Sequence, residues 1–370
     1  MKNGFRVIDS DGHTMPPVTL WRDLIDPQYR ERIAVEGGRL LVDGKRTSTV
    51  TPEVLTALRF TEEDRLQRFG DMAERNFDPP SVVEGMDREG VDLSVTYDDL
   101  YATWVDGIDP ALAAAMCRAY YRWISEFSEQ SGGRVVGAAP LPIFDVDLAI
   151  EAIDDAWELG MRAFWVRPNP INGRLLGDPA YDPLYAALVE RNAPLSLHEG
   201  MGATLPSIGA DRFSSFLTVH SCCHPMEQQM AMLSLIAGGT FDRFPTLRVA
   251  FMESGCSWLP YWLYRLDEHV ELVGWHDAPD LKALPSEYFK RQCFISVESD
   301  EALVGDVVNA VGDDNILFST DFPHPDSAYP HAVDTFLGLP GLTDESRGKI
   351  LFDNALRYYA LDASTLKTAA

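Results

Sequence analysis

Asp11 and His13 stand two positions apart at the end of a short apolar run, Val7-Ile8-Asp9-Ser10-Asp11-Gly12-His13. Residues i and i+2 of a strand leave on the same face. A carboxylate and an imidazole presented together begin a chelate for a divalent cation. Asp-x-His is a common pattern, so its weight depends on how the other apolar runs end. One ends in His198-Glu199, one in Glu253-Ser254-Gly255, one in Asp321-Phe322-Pro323-His324 and one in Arg167-Pro168-Asn169. Imidazoles and carboxylates gathered from several strand ends suit Zn²⁺, Mn²⁺ or a similar ion.

Each of these residues has a structural alternative. His198 closes the apolar run Pro194-Leu-Ser-Leu-His and could be a core histidine, but its place at the strand end beside Glu199 favours a ligand. Asp321 could cap the turn at Phe322-Pro323, or serve as the base for a metal-bound water. Glu253 is either a structural acid paired with an arginine or a catalytic group. Arg167 is either that partner or, with Asn169 and Glu199, a binder of a substrate carboxylate through its planar fork. His220 and His224 flank Ser221-Cys222-Cys223, and the spacing would place both on one helical face. Pro225 argues against helix before it, so the helix is expected to start there, with His224 at its N-terminus. One of the two histidines is then a candidate for the substrate side. His324 is expected to orient the loop after Asp321, and His269, His276 and His331 read as surface residues. Cys222-Cys223 reads as core.

Alternating elements position these groups. Eight apolar, β-branched-rich runs occur: Arg6–Asp11, Asp92–Tyr97, Arg134–Pro140, Ala163–Pro168, Pro194–His198, Arg248–Glu253, Cys293–Val297 and Ile316–Asp321. Between them lie helical patterns at Pro110–Gln130, Asp145–Leu159, Pro225–Ala237, Trp258–His269 and Ser346–Tyr359. This alternation predicts a (β/α)₈ TIM barrel, with an open doubly wound sheet as the alternative. No G-x-G-x-x-G follows a run, which counts against the dinucleotide-binding version. Residues 14–91 read as an insertion after the first strand, over one barrel face, with a hairpin around Gly37–Gly44. Its apolar content is thin for a core of its own, so residues 1–370 are expected to form one domain.

A net charge of −26 argues against nucleic-acid or anionic-membrane partners, which need clustered Lys and Arg. No apolar stretch is long enough for a membrane span, and the first residues lack a secretory h-region. The 5 cysteines are odd in number and scattered, as expected of reduced thiols in the cytoplasm.

Taken together, Asp-x-His at the start, His198, the Glu253–Pro260 stretch Glu-Ser-Gly-x-x-Trp-Leu-Pro, the Thr320–Asp326 stretch Thr-Asp-Phe-Pro-His-Pro-Asp and the closing Asn354-Ala-Leu-Arg-Tyr-Tyr resemble the amidohydrolase superfamily. The likeness is narrower to the amidohydrolase-related branch of aminocarboxymuconate-semialdehyde decarboxylase and the non-oxidative aromatic-acid decarboxylases. The resemblance implies a barrel with one divalent metal ion, Zn or Mn. It places ligands at Asp11, His13, His198 and Asp321.

Two departures stand out. The first-strand pair is Asp-x-His rather than His-x-His, an acidic ligand that favours Mn²⁺. The sixth strand ends in Glu253, where the branch often has a catalytic His. Glu253, His220 or His224 is then the candidate proton shuttle. The resulting expectation is a lyase that decarboxylates a small aromatic or unsaturated acid. The absence of Lys at the end of the fourth run argues against a carbamylated binuclear centre. The same residues would serve a hydrolase of an amide, ester or lactone. A third reading is an inactive binding protein on the same fold. The expected partner is a small-molecule substrate, with a homodimer possible through the insertion. Trp104, Trp165, Phe322 and Tyr329 are candidate aromatics at the mouth.

Overall fold

The computed structural model describes residues 1–98, 102–200 and 202–366. Its strands are β1 (Ile8–Thr14), β2 (Ile33–Glu36), β3 (Arg39–Val42), β4 (Lys45–Arg46), β5 (Leu93–Asp98), β6 (Val135–Pro140), β7 (Ala163–Val166), β8 (Leu195–His198), β9 (Val249–Met252), β10 (Cys293–Val297) and β11 (Ile316–Phe318). Eight of them form one sheet in the order β1-β5-β6-β7-β8-β9-β10-β11, and every pair in it is parallel. Parallel neighbours need crossovers, and helices supply them between the barrel strands. The result is the (β/α)₈ barrel that the alternation predicted.

No ladder joins β1 to β11 among the described residues, and the barrel closes through individual contacts. Asp321 N–H donates to the Asp11 carbonyl (2.9 Å), and His13 N–H donates to the Phe322 carbonyl (2.7 Å). Asp9, 3 % exposed, fastens the same seam. Its carboxylate accepts from Ser94 Oγ on β5 (2.9 Å) and from Thr320 N (3.0 Å) and Oγ1 (2.7 Å) beyond β11. The register of β1 against β5 shifts between Asp9 and Gly12, so the strand bulges where the chemistry lies.

Gly12 is required by this seam. A Cβ there would sit 2.6 Å from Ser94 Oγ and 2.8 Å from Asp9 Oδ2. Gly12→Ala is therefore expected to destabilise the fold by about 1–3 kcal/mol, the range for an overpacked site. A lowered urea midpoint with an unchanged m-value would record it.

Residues 15–92 carry the antiparallel β2-β3-β4 sheet, with turns at Gly37-Gly38 and Asp43-Gly44, and several short helices. Ile33, Leu40 and Val42 of this sheet share one apolar cluster with Leu112, Ala115 and Met116 of helix Pro110–Gln130. The segment thus packs on a barrel helix.

Two helices differ from expectation. Helix Leu259–Asp277 runs well past His269. Helix Phe216–Ala237 starts well before Pro225 and passes through it. Proline in a helix interior loses one backbone hydrogen bond and crowds the preceding turn. Burial of Cys223, His224, Glu227 and Gln228 outweighs that cost. Gln228 Nε2 donates to the carbonyls of Leu197 (2.6 Å) and Met252 (2.9 Å), which clamps the helix to the ends of β8 and β9.

Candidate metal centre

The end of β1 presents Asp11 and His13, both essentially without exposure. β8 presents His198, the turn after β9 presents Glu253, and the segment after β11 presents Asp321 and His324. These side chains converge. His198 Nε2 lies 3.0 Å from Asp11 Oδ1, and His13 Nε2 lies 3.1 Å from Asp321 Oδ1 and 3.9 Å from Asp11 Oδ1. His198 Nδ1 is 3.1 Å from Glu253 Oε2, and His324 Nδ1 is 2.7 Å from Asp321 Oδ1. Donor atoms of His13, Glu253, Asp321 and His324 all fall within 4.8 Å of one another, as do those of Asp11, His13 and His198.

Packing fixes the rings. Tyr97 stacks on His198 at 4.3 Å between centroids, and His324 stacks on His13 at 3.8 Å. Glu253 and Asp321 both adopt left-handed backbone, with φ of 49° and 52°. For residues with a Cβ that conformation costs about 1 kcal/mol or more. Both acids hold it where the chain turns off a strand end, which aims each carboxylate inward.

The electrostatics suit a cation. Burial pushes the Asp11 carboxyl up to about 7, against the pull of His13. Burial and the nearby Asp321 push Glu253 well above the carboxylate range. Burial also acts to raise Asp321, but the imidazoles of His324 and His13 beside it outweigh this and hold it below the usual range. Burial lowers His198 to about 3, and lowers His13, His220 and His224 as well. In His13, His198, His220 and His224 burial thus favours the neutral imidazole with a free lone pair, the form that binds metal. His13 Nε2, Asp321 Oδ1 and Glu253 Oε2 are buried without a hydrogen bond of good geometry among the described residues. Crowded ligand atoms that satisfy one another poorly are what a divalent cation can satisfy.

The expected substrate-side residues lie elsewhere. Arg167, Asn169 and Glu199 are fully buried and joined to one another. Arg167 donates Nε to Asn169 Oδ1 (3.0 Å), Nη1 to the Gly200 carbonyl (2.8 Å) and Nη2 to Glu199 Oε1. Its carboxylate partner is therefore Glu199, whereas Glu253 is met by His198 and, at 3.5 Å, by His224 Nε2.

The proline reading of His220 and His224 is corrected by the helix that runs through Pro225. The two rings sit on one face, 4.4 Å apart, and both line the cavity over the centre. Cys223 is buried beside His224 (Sγ to Nδ1 3.1 Å), whereas Cys222 is half-buried.

Trp104 and Trp165 are core residues, and Phe322 and Tyr329 pack on Phe69. The aromatic residues on the cavity wall are Phe60 and Phe216. Glu298, after β10, went unnoticed in the sequence. It lines a second cavity with Glu253 and Asp321, and burial and the charge of Asp321 push it well above the carboxylate range. Its signal was available in principle: it follows the run Cys293–Val297 directly.

Two cavities of about 430 and 410 Å³ meet over the centre and share His220, His224, Glu253 and Asp326. No helix among the described residues is long and apolar enough to cross a membrane.

A family model described as Amidohydrolase matches residues 8–361. The 2-amino-3-carboxymuconate-6-semialdehyde decarboxylase of Dictyostelium discoideum is 25% identical over 295 residues, which is 77% of this chain and 77% of that protein. The gamma-resorcylate decarboxylase of Rhizobium sp. (strain MTP-10005) is 26% identical over 289 residues, 75% of this chain and 86% of that protein. Among solved structures, the dihydroxybenzoic acid decarboxylase of Polaromonas sp. JS666, with bound manganese and the inhibitor 2-nitroresorcinol, superposes with a TM-score of 0.68 at 20% identity, covering 96% of this chain and 97% of that one.

Proposed function

The chain belongs to the amidohydrolase family, and from that premise we propose that it is a single-domain, metal-dependent decarboxylase of a small aromatic or unsaturated carboxylic acid, acting without an oxidant. The observation that carries the reading is the convergence of Asp11, His13, His198 and Asp321, with buried ligand atoms that lack hydrogen bonds, beside a carboxyl whose hold on its proton burial strengthens. The two curated relatives above are both decarboxylases, which supports the same reaction.

Asp11, His13, His198 and Asp321 would hold one divalent ion, and the acidic pair together with the manganese of the Polaromonas structure favours Mn²⁺ over Zn²⁺. Bound there, the ion supplies positive charge to a substrate carboxylate or an adjacent oxygen. The rest falls to the protein's own groups. Glu253 Oε2 faces His198 Nδ1, as a carboxylate that orients a ligating imidazole does. Environments that push two acids apart assign their roles. Asp321 stays ionised, and Glu253 carries the proton.

As the carbon–carboxylate bond breaks, the ring carbon keeps the bonding pair and takes the Glu253 proton, and carbon dioxide leaves. The proton returns to Glu253 from solvent in the cavity, on the side where His224 Nε2 lies 3.5 Å from Glu253 Oε1 and His220 also lines the wall. Arg167, Asn169 and Glu199 act from behind as a positioning group. The free cysteines support a cytoplasmic setting.

The test is elemental analysis of the purified chain, followed by assays of carbon dioxide release from hydroxybenzoates beside hydrolysis of amides, esters and lactones. About one Mn or Zn per chain with carbon dioxide release is expected. Hydrolysis without carbon dioxide release, or a protein that takes up no metal, would overturn the reading.

A further inference from the structure

The two cavities over the centre differ in chemistry. The lobe of about 410 Å³ is walled by acids and hydroxyls, Glu253, Glu298, Ser299 and Asp321 among them. The chamber of about 430 Å³ reaches away from those acids under the β2–β4 segment and the helix after it. Its far wall is apolar: Val50, Leu55, Leu58 and Phe60 from the segment after β4, facing Phe216 of the histidine-bearing helix. Val50, Leu55 and Leu58 belong to neither apolar core of the molecule. Packing therefore does not account for them. Leu55 and Leu58 are half-buried, an arrangement that favours apolar cover. Arg39 (half-buried) and Arg46 (exposed) line the same chamber.

Size sharpens the point. A cavity of roughly 150 Å³ accommodates one benzene ring. The chamber alone is about three times that and lies within the range of pockets for drug-sized ligands. A one-ring acid held at the ligand cluster would leave most of it empty.

We infer that the substrate is an acid with an apolar extension, a second ring or an alkyl chain, that rests against Leu55, Leu58, Phe60 and Phe216 while its carboxylate end meets the acids and histidines. The inference rests on the decarboxylase reading for which end is held where; the apolar chamber itself does not depend on it.

Isothermal titration of the manganese-loaded full chain with 2-hydroxybenzoate and with 2-hydroxy-4-phenylbenzoate tests it. Burial of the added ring is expected to tighten binding by about tenfold or more. Leu55→Trp fills the chamber and Leu58→Glu places a charge in it. Both positions lie outside the cores, so thermal melting should be little changed. In each variant the ratio of the two affinities is expected to fall towards one. Equal or weaker binding of the phenyl probe by the unaltered protein would overturn the inference, as would a ratio unmoved in both variants. Discrimination between the probes without carbon dioxide release would instead sink the decarboxylase reading and leave this one standing. Release from 2-hydroxybenzoate without discrimination would do the reverse.

Discussion

Glu253→Gln is expected to keep its metal and lose its reaction. The amide is nearly isosteric and still offers an oxygen to His198 Nδ1, 3.1 Å away in the unaltered protein. It has no transferable carboxyl proton. Removal of a positioned acid typically slows turnover by about 10²–10⁴-fold, and that loss should fall in kcat with little change in manganese content. Asp321→Asn should behave differently. Asp321 meets both His13 (3.1 Å) and His324 (2.7 Å), so its loss should weaken metal retention as well as turnover. Inductively coupled plasma analysis beside steady-state kinetics separates the two variants. Full activity in Glu253→Gln would remove Glu253 from the chemistry.

Stripping the metal, or His198→Ala, should abolish turnover and make stability pH-dependent in one direction. A ligand present at about 100–1,000 times its Kd stabilises the fold by about 2.7–4.1 kcal/mol, and chelation withdraws that. Above about pH 7.5, a full unit over the ordinary imidazole value, His13, His198, His220 and His224 contribute almost no slope, because burial keeps them neutral when folded and they are almost wholly neutral when unfolded. The acids do contribute. Burial raises Asp11 from 3.8 to about 7 and Glu253 well above its usual range. The folded metal-free chain therefore binds protons, mainly on Glu253, that the unfolded chain has released, so its unfolding free energy falls as pH rises above about 7.5, where the histidines no longer offset it. Urea melts at pH 7.5 and 9 should show this loss in the stripped protein and little of it after the metal is restored. A flat profile in the stripped protein would show that the acids are not buried against one another as described.

The strand ends were legible because both the period-two pattern and the residue types that close each run are local. Asp11, His13, His198 and Asp321 could be placed at one end of a barrel without knowledge of a single contact. Contacts that depend on distant partners could not. Asp9 looks like part of an apolar strand until Thr320 and Ser94 arrive beside it. Arg167 had several acids to choose from, and Glu199 was settled by packing. Ile316–Asp321 reads as one run, but the ladder ends at Phe318 because the chain leaves the sheet to bond across the seam. The helix through Pro225 was illegible for a different reason. Local proline chemistry argues for a break, and the burial and clamping of the same helix outweigh it. The chamber walls could not be read at all, since half-buried leucines outside the cores leave no periodic trace.

The seam between β1 and β11 has a consequence for how the protein comes into being on the ribosome. The proposed ligand pair Asp11 and His13 emerges early, while Asp321 and its backbone tie to Asp11 emerge only after the other seven barrel strands. Until the final strand docks, the opening residues have neither their fourth proposed ligand nor the Thr320 anchor that sets the bulge. A chain that stops short of Asp321 thus lacks one of the proposed ligands, however much of the barrel it has formed. Tight metal retention should therefore report that the β1–β11 seam has closed.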